Sequence, residues 1–356
     1  MGAAERGPDL IGPRSATMRA FVIEAPLKGR VVNTARPNPM PGEAVVQVHR
    51  VGLCGTDSEL YSGQHLYFAD GSAHFPLRPG HEWMGRVVRV GDPNEVNWID
   101  TRVTGDTMIG DGVCRLCLTG RRHICESRHE IGIRGGWPGA LAEEVLVPTS
   151  GLLALPDSVS DTAGALIEPG SNAIRALQAL AVPAGEQLLI WGAGCISLLA
   201  AQLASARGAI VTVVGTRHSS LELAKRLGAH HAVTPAELPP SEKFRFAIDG
   251  SSDPVGISSL LTHLEPGGRA ALVGLASVPT EIDTRAIVIN DQTIFGLLSG
   301  SPAMRDTIAA FDSTGIKTDE LIAATISLSE VDQALAGNRP SAATSAPKIH
   351  VDPRIS

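Results

Sequence analysis

From about Glu168 to Leu298 the chain alternates short apolar runs with helix-like runs, and no other feature restricts its fold so strongly. The apolar runs lie at 188–191, 210–214, 246–248 and 269–274, and the helix-like stretches include 196–206 and 220–227. A strand that is apolar along its whole length, and not only on every second residue, is buried on both faces. Strands joined through helices form right-handed crossovers, so the pattern predicts an α/β region: a parallel sheet with helices on each side.

The residues before this region read differently. Runs rich in β-branched residues at 44–51, 85–90 and 142–147 are interrupted by glycine and proline, which predicts an irregular antiparallel β domain with long loops. Beyond Leu298 a helical stretch over 304–313 leads to a last strand over 348–351, expected to return to the first domain. A chain of 356 residues can bury two cores. The expected division is a flexible extension over 1–17, a β-rich domain over 18–168, a nucleotide-type domain over 169–299 and a returning segment over 300–356.

Composition removes several classes of function. A net charge of −7 with no basic stripe offers nothing to neutralise phosphates, so a nucleic-acid partner is not expected. No apolar run reaches the roughly 18 residues that a membrane span requires. The first 17 residues lack an apolar core and carry acids, unlike a secretory signal. Of five cysteines, three are bunched at Cys114, Cys117 and Cys125, which indicates metal before disulfides and a reducing, cytoplasmic compartment.

The run at 188–191 opens directly into Gly192-Ala193-Gly194-Cys195-Ile196-Ser197 and then a helix. Strand, glycine turn and helix together make a pyrophosphate cradle of the Rossmann kind: Gly192 permits the tight turn and Gly194 lets a phosphate approach the backbone. Ser197 stands where the third glycine of that fingerprint is usual. At the end of the next strand, Gly215 occupies the place where a carboxylate would accept from a ribose 2′-hydroxyl, followed by Thr216 and Arg217. Without that carboxylate a 2′-phosphate is not repelled, and Arg217 can pair with it, which favours NADP over NAD.

Two further groups suit a metal. Cys54-Gly-Thr56-Asp57 and His81-Glu82 supply a thiolate, an imidazole and a carboxylate, the donor set of an open zinc site. Cys54, Thr56, Gly80-His81-Glu82, Glu168-Pro169 and the Gly-Ala-Gly turn occur in the order found in the zinc-containing medium-chain dehydrogenases, and the resemblance runs from about Met18 to the end of the chain. It implies a GroES-like β domain, closed by the C-terminal segment, with an inserted Rossmann domain. It also implies a catalytic zinc on Cys54 and His81, with Glu82 and Glu168 as acidic ligands, direct or through water, and a proton relay that begins at the Thr56 hydroxyl. The family's structural-zinc lobe carries four cysteines; this chain has Asp111, Cys114, Cys117 and Cys125 at those spacings, so a second zinc requires the Asp111 carboxylate.

The stretch from Arg121 to Gly139 looks most like the sugar and polyol branch, in particular glucose dehydrogenases and the cyclitol or aminocyclitol dehydrogenases of antibiotic pathways. That likeness implies substrate contacts from Glu130 and Ser299, and Ser299 replaces an asparagine of the glucose enzymes. Asp57 and Glu59, were they to face the cleft, would suit an amine-bearing substrate. Relatives are dimers or tetramers, so a homo-oligomer is expected. Two other readings share the fold: a zinc-free enoyl or quinone reductase, and a non-catalytic NADP(H)-binding sensor or structural protein.

Overall fold

The computed structural model describes residues 15–276 and 278–355. The extension expected over 1–17 therefore lies outside the described residues as far as residue 14. In the first part of the chain the strands are β1 (Thr17–Ala25), β2 (Lys28–Ala35), β3 (Glu43–Leu53), β4 (Glu82–Val90), β5 (Arg102–Gly105), β6 (Met108–Ile109), β7 (His129–Glu130), β8 (Glu144–Pro148) and β9 (Leu152–Ala154). Short helices α1 (Gly55–Ser62), α2 (Leu66–Ala69), α3 (Arg115–Leu118) and α4 (Asp161–Ala165) lie among them. There follow α5 (Ile167–Leu180), β10 (Gln187–Trp191), α6 (Cys195–Ala206), β11 (Ile210–Val214), α7 (His218–Arg226), β12 (His231–Val233) and β13 (Phe244–Asp249). The chain continues through α8 (Gly256–Thr262), β14 (Leu264–Leu272), α9 (Thr284–Ile289), β15 (Thr293–Gly296), α10 (Met304–Ser313), β16 (Ile322–Ile326), α11 (Val331–Leu335) and β17 (Lys348–Val351).

These elements form two compact units, one of residues 1–166, 324–342 and 349–356, the other of residues 167–323 and 343–348. Residues 300–323, expected in the returning segment, pack instead with the second unit. The reason is local: Phe311 and Thr307 of α10 fill the space beside Gly170 of α5, where a β-carbon would meet the phenyl ring at 2.8 Å.

In the first unit β3 is the central strand. It pairs antiparallel with β4, β8 and β17, and β4 passes the ladder on to β5 and β9. Val46, Val48, Val51, Trp83, Val103 and Val145 from these strands meet in one apolar core, onto which Phe21 and Ile23 of β1 pack. Just past β17, Asp352 is clasped by Arg354 through Nε and Nη2, both at 2.8 Å, and by Arg50 of β3. The clasp ties the end of the chain to the strand that leads to Cys54.

The second unit is a parallel six-stranded sheet in the order β12-β11-β10-β13-β14-β15. Third, second, first, fourth, fifth, sixth is the doubly wound Rossmann order, with its switch point between β10 and β13. Leu188, Leu189 and Ile190 of β10 are fully buried, as a strand covered on both faces must be. Helix α6 is buried from Ser197 to Ala204 and almost wholly apolar, so it lies against the sheet with little surface left for water. The fold is thus α/β, an irregular GroES-like β unit and a Rossmann unit, as expected.

Candidate functional site

The antiparallel pairing of β3 and β4 sets Gly52 opposite Glu82 and Val51 opposite Trp83. Cys54, just beyond β3, and His81, just before β4, are thereby brought together, although the sequence separates them. Cys54, His81 and Glu82 each offer one ligand atom, and the three atoms lie within 4.8 Å of one another. His81 and Glu82 are buried, and Cys54 is partly so. A β-carbon on Gly52 would fall 2.2 Å from Oε2 of Glu82, so glycine there makes room for the carboxylate. On the other side of Gly52, β17 places His350, fully buried, in register.

Asp57 organises this group. Its carboxylate has no exposed surface; Oδ2 accepts the Cys54 amide at 2.9 Å and Oδ1 accepts the Gly80 amide at 3.2 Å. Oδ1 also faces Nδ1 of His81 at 3.4 Å. Burial alone would hold the imidazolium down, but the Asp57 carboxylate and the Cys54 sulfur outweigh it, and the His81 pKa is raised. A pocket whose carboxylate and thiol favour positive charge, with Nδ1 of His81 turned towards Asp57 at 3.4 Å, suits a metal cation. Asp57 does not face a cleft, which corrects the expectation that it meets an amine of the substrate.

The second cluster sits on the lobe between β6 and β7. Asp111, Cys114, Cys117 and Cys125 offer ligand atoms that all lie within 4.8 Å of one another. The Cys114 and Cys125 sulfurs are 3.7 Å apart and unbonded. Two thiolates on one tetrahedral zinc, each at about 2.3 Å, are separated by about 3.8 Å, so the observed spacing suits an ion and not a disulfide. Oδ1 of Asp111 accepts the Val113 and Cys114 amides, both at 2.9 Å, which holds its carboxyl well below the usual carboxylate range. The carboxylate is thus ionised and fixed, with one oxygen still to offer.

In the second unit the glycine turn follows β10. Gly192 has φ of +101°, and a β-carbon there would meet the Gly250–Ser251 backbone at 3.1–3.2 Å. Gly194, the N-cap of α6, has nothing within 4 Å of its missing β-carbon: the side chain is absent where a phosphate would come. Ser197, in place of the third glycine, is fully buried, and a β-carbon on Gly250 would lie 2.4 Å from its Oγ. Gly250, just beyond β13, supplies the space that the Ser197 side chain needs. Cys195 and Ile196 form the first turn of α6; Gly215 is buried after β11, and Thr216 and Arg217 stand exposed at the start of α7.

Residues 40–157 match the family model for the alcohol dehydrogenase GroES-like domain, and residues 195–313 match that for zinc-binding dehydrogenase. An L-threonine 3-dehydrogenase of Saccharopolyspora erythraea is 35% identical over 293 residues, which covers 79% of this chain and 83% of that protein. The chain belongs to the zinc-binding dehydrogenases. Two solved members of similar shape have a TM-score of 0.86 and cover 95% of this chain and 100% of their own: an Escherichia coli CFT073 alcohol dehydrogenase complexed with NADH, 25% identical, and a Sinorhizobium meliloti 1021 zinc-binding dehydrogenase bound to NADP, 26% identical. As a zinc-binding dehydrogenase the chain is an NAD(P)-linked enzyme of alcohol oxidation and reduction.

The remaining site residues separate by unit. In the first, the Thr56 hydroxyl makes no hydrogen bond among the described residues. One helical turn on, burial raises the Glu59 carboxyl, and its Oε2 lies 3.9 Å from Nε2 of the buried His65, a residue that no motif marks. Glu130 is buried; its Oε1 accepts from Tyr67 Oη at 2.8 Å and from Arg128 Nε at 2.7 Å. In the second unit Glu168 lies in the first turn of α5, where Oε1 accepts from Asn172 Nδ2 at 3.3 Å. Ser299 has φ of +65°, and its Oγ accepts the Ser301 amide at 3.1 Å. No helix among the described residues is long and apolar enough to cross a membrane.

Proposed function

We propose that the chain interconverts a secondary alcohol and its ketone on a polar substrate, a sugar, cyclitol or aminocyclitol, with zinc held by Cys54, His81 and Glu82 and with NADP preferred as hydride carrier. The convergence of those three ligand atoms within 4.8 Å, braced by the buried Asp57, carries the reading. Zinc in such a site supplies Lewis acidity, which lowers the pKa of an alcohol oxygen towards neutrality. Asp57 fixes the orientation of His81 and the turn bearing Cys54. The Thr56 hydroxyl accepts the alcohol proton as it releases its own towards Glu59, a half-buried carboxyl with His65 beside it. Tyr67 and Arg128 hold one oxygen of Glu130, which orients the carboxylate as an acceptor for a substrate hydroxyl. The Gly192–Gly194 turn and the start of α6 receive the pyrophosphate, and the exposed Arg217, with no carboxylate at Gly215, favours the 2′-phosphate. A second zinc on Asp111, Cys114, Cys117 and Cys125 braces the lobe. The free edge of β15, with Val288 and Ile289 of α9 at 78% and 81% exposure, suits a partner subunit, so we infer a homo-oligomer.

The test is a panel of sugars, cyclitols, aminocyclitols and L-threonine, assayed with NAD and with NADP on wild type, Cys54→Ala and Arg217→Ala. We expect turnover of at least one polyol class, kcat/KM at least tenfold higher with NADP, loss of that preference in Arg217→Ala, and no turnover in Cys54→Ala although cofactor still binds. Turnover that survives Cys54→Ala would overturn the zinc chemistry and favour a zinc-free reductase. Cofactor binding without turnover of any alcohol would favour the sensor.

A further inference from the structure

A second site lies in the first unit, away from the residues above. A pocket of about 390 Å³ opens between the β1–β2 hairpin and the loops at 73–78 and 132–138, and none of Cys54, His81 and Glu82 lines it. Val22, Val32, Ile133 and Trp137 give it apolar walls; Arg78 and His74 are its cationic or basic groups. The walls are held in place by the backbone. Ile23 donates to the Leu77 carbonyl at 2.8 Å, Gly139 to that of Arg78 at 2.8 Å and Gly135 to that of Ser72 at 2.8 Å. Trp137 is fixed as well, its Nε1 donating to the Leu146 carbonyl at 2.9 Å. The cavity is therefore formed before any ligand arrives.

Arg78 is the anomaly. Its Nε is sealed from solvent with no hydrogen-bond partner, and no carboxylate among the described residues pairs with the guanidinium. Burial pushes its pKa down to about 10, with no compensating charge. Several other arginines of the same unit are paired: Arg36 and Arg89 face Glu144, Arg102 faces Asp161 and Arg128 faces Glu130; Arg134, which has no carboxylate among the described residues, donates instead to the Glu126 and Arg128 carbonyls. The side chain is only partly buried, yet a guanidinium whose Nε is sealed from water and whose charge has no anion beside it is costly. The fork of donors matches a carboxylate or a phosphate, and the volume suits a small organic molecule.

We propose that this pocket binds a small organic anion, its carboxylate or phosphate on Arg78 and its apolar body against Val22, Ile133 and Trp137. The site stands apart from the alcohol chemistry and does not depend on it.

Titration calorimetry of the zinc-loaded full chain, without nicotinamide cofactor, tests this with three probes: inorganic phosphate, phenyl phosphate and benzoate. We expect saturable binding of phenyl phosphate or benzoate, tighter than that of inorganic phosphate. We expect Arg78→Leu to weaken it at least tenfold and Cys54→Ala to leave it unchanged. Replacing an unpaired, partly buried cation with a hydrocarbon should not unfold the chain; Arg78→Gln, which keeps a polar side chain, serves as the second variant. Absence of saturable binding, or binding that both Arg78 variants retain, overturns the proposal. An affinity lost in Cys54→Ala and kept in Arg78→Leu would place the anion on zinc and overturn it equally. Phosphate bound as tightly as phenyl phosphate would overturn the assignment of an organic ligand.

Discussion

The Asp57 carboxylate accepts the Cys54 amide at 2.9 Å with one oxygen while the other accepts the Gly80 amide, so a single buried side chain fastens together the two segments that bear the proposed metal ligands. Asparagine in its place would keep one acceptor and present an N–H to a neighbour that is itself a donor. Outer partners of this kind are typically worth about 10–100-fold in metal affinity. Asp57→Asn should therefore weaken zinc binding by about that factor and lower kcat with it, while cofactor affinity is unchanged. Chelator competition on wild type and variant, read alongside NADP binding, checks the split.

The lobe makes a stoichiometric prediction. If Asp111 is a ligand, elemental analysis gives two zincs per chain in wild type and one in either Cys54→Ala or Asp111→Ala. One zinc in wild type, falling to none in Cys54→Ala, would leave the lobe metal-free. Asp111→Asn would separate the roles of the carboxylate: its amide oxygen can still accept the Val113 and Cys114 amides, but it is a poorer ligand. Zinc lost with a lobe that stays folded is the expected result.

The clasp at Asp352 makes a pH prediction. Burial would raise this carboxyl, yet hydrogen bonds from Arg354 and the charge of Arg50 bring it from 3.8 down to about 2. A carboxyl lowered on folding stabilises the folded chain above its unfolded pKa, and the contribution is lost as pH falls through the folded value. Asp352→Asn should lower stability at neutral pH by about 1–2 kcal/mol, and the gap between the two proteins should close between about pH 4 and 2. Urea midpoints compared across that range test it, since any loss of zinc common to both proteins cancels in the difference.

Much of the fold was legible because its signals are local. Apolar runs such as 188–191, followed at once by Gly192 and Gly194, specify strand, turn and helix within a dozen or so residues. Cys54, His81 and Glu82 were legible as donors, and the pairing of β3 with β4 supplied only their meeting. What could not be read depends on partners distant in sequence. Whether Asp57 faces the cleft is not legible, because nothing nearby reveals that its carboxylate spans to Gly80. Ser197 departs from the usual glycine pattern, and nothing near it in sequence shows that Gly250, just beyond β13, supplies the space. Glu130 gave no sign that Tyr67 and Arg128 share one of its oxygens, and an arginine in Pro-Leu-Arg78-Pro gives no hint of being without a counter-ion. Residues 300–323 were misplaced for a similar reason: whether a helix packs on α5 or elsewhere depends on a gap beside Gly170, which has no local signature.

The row His350, Gly52 and Glu82 joins strands made at very different times. β17 lies against β3, yet it is synthesised only after almost all of the second unit, so the sheet that carries the proposed metal ligands waits for that strand. Domains tend to fold in the order in which they leave the ribosome, and here the middle of the chain can fold while the earlier part still waits for its edge. During that interval Cys54 is a thiol on an incomplete sheet, open to oxidants and to competing metals. Faithful loading of the site is therefore a question of timing in translation as much as of affinity, and nascent chains stalled before β17 would be the ones to mismetallate.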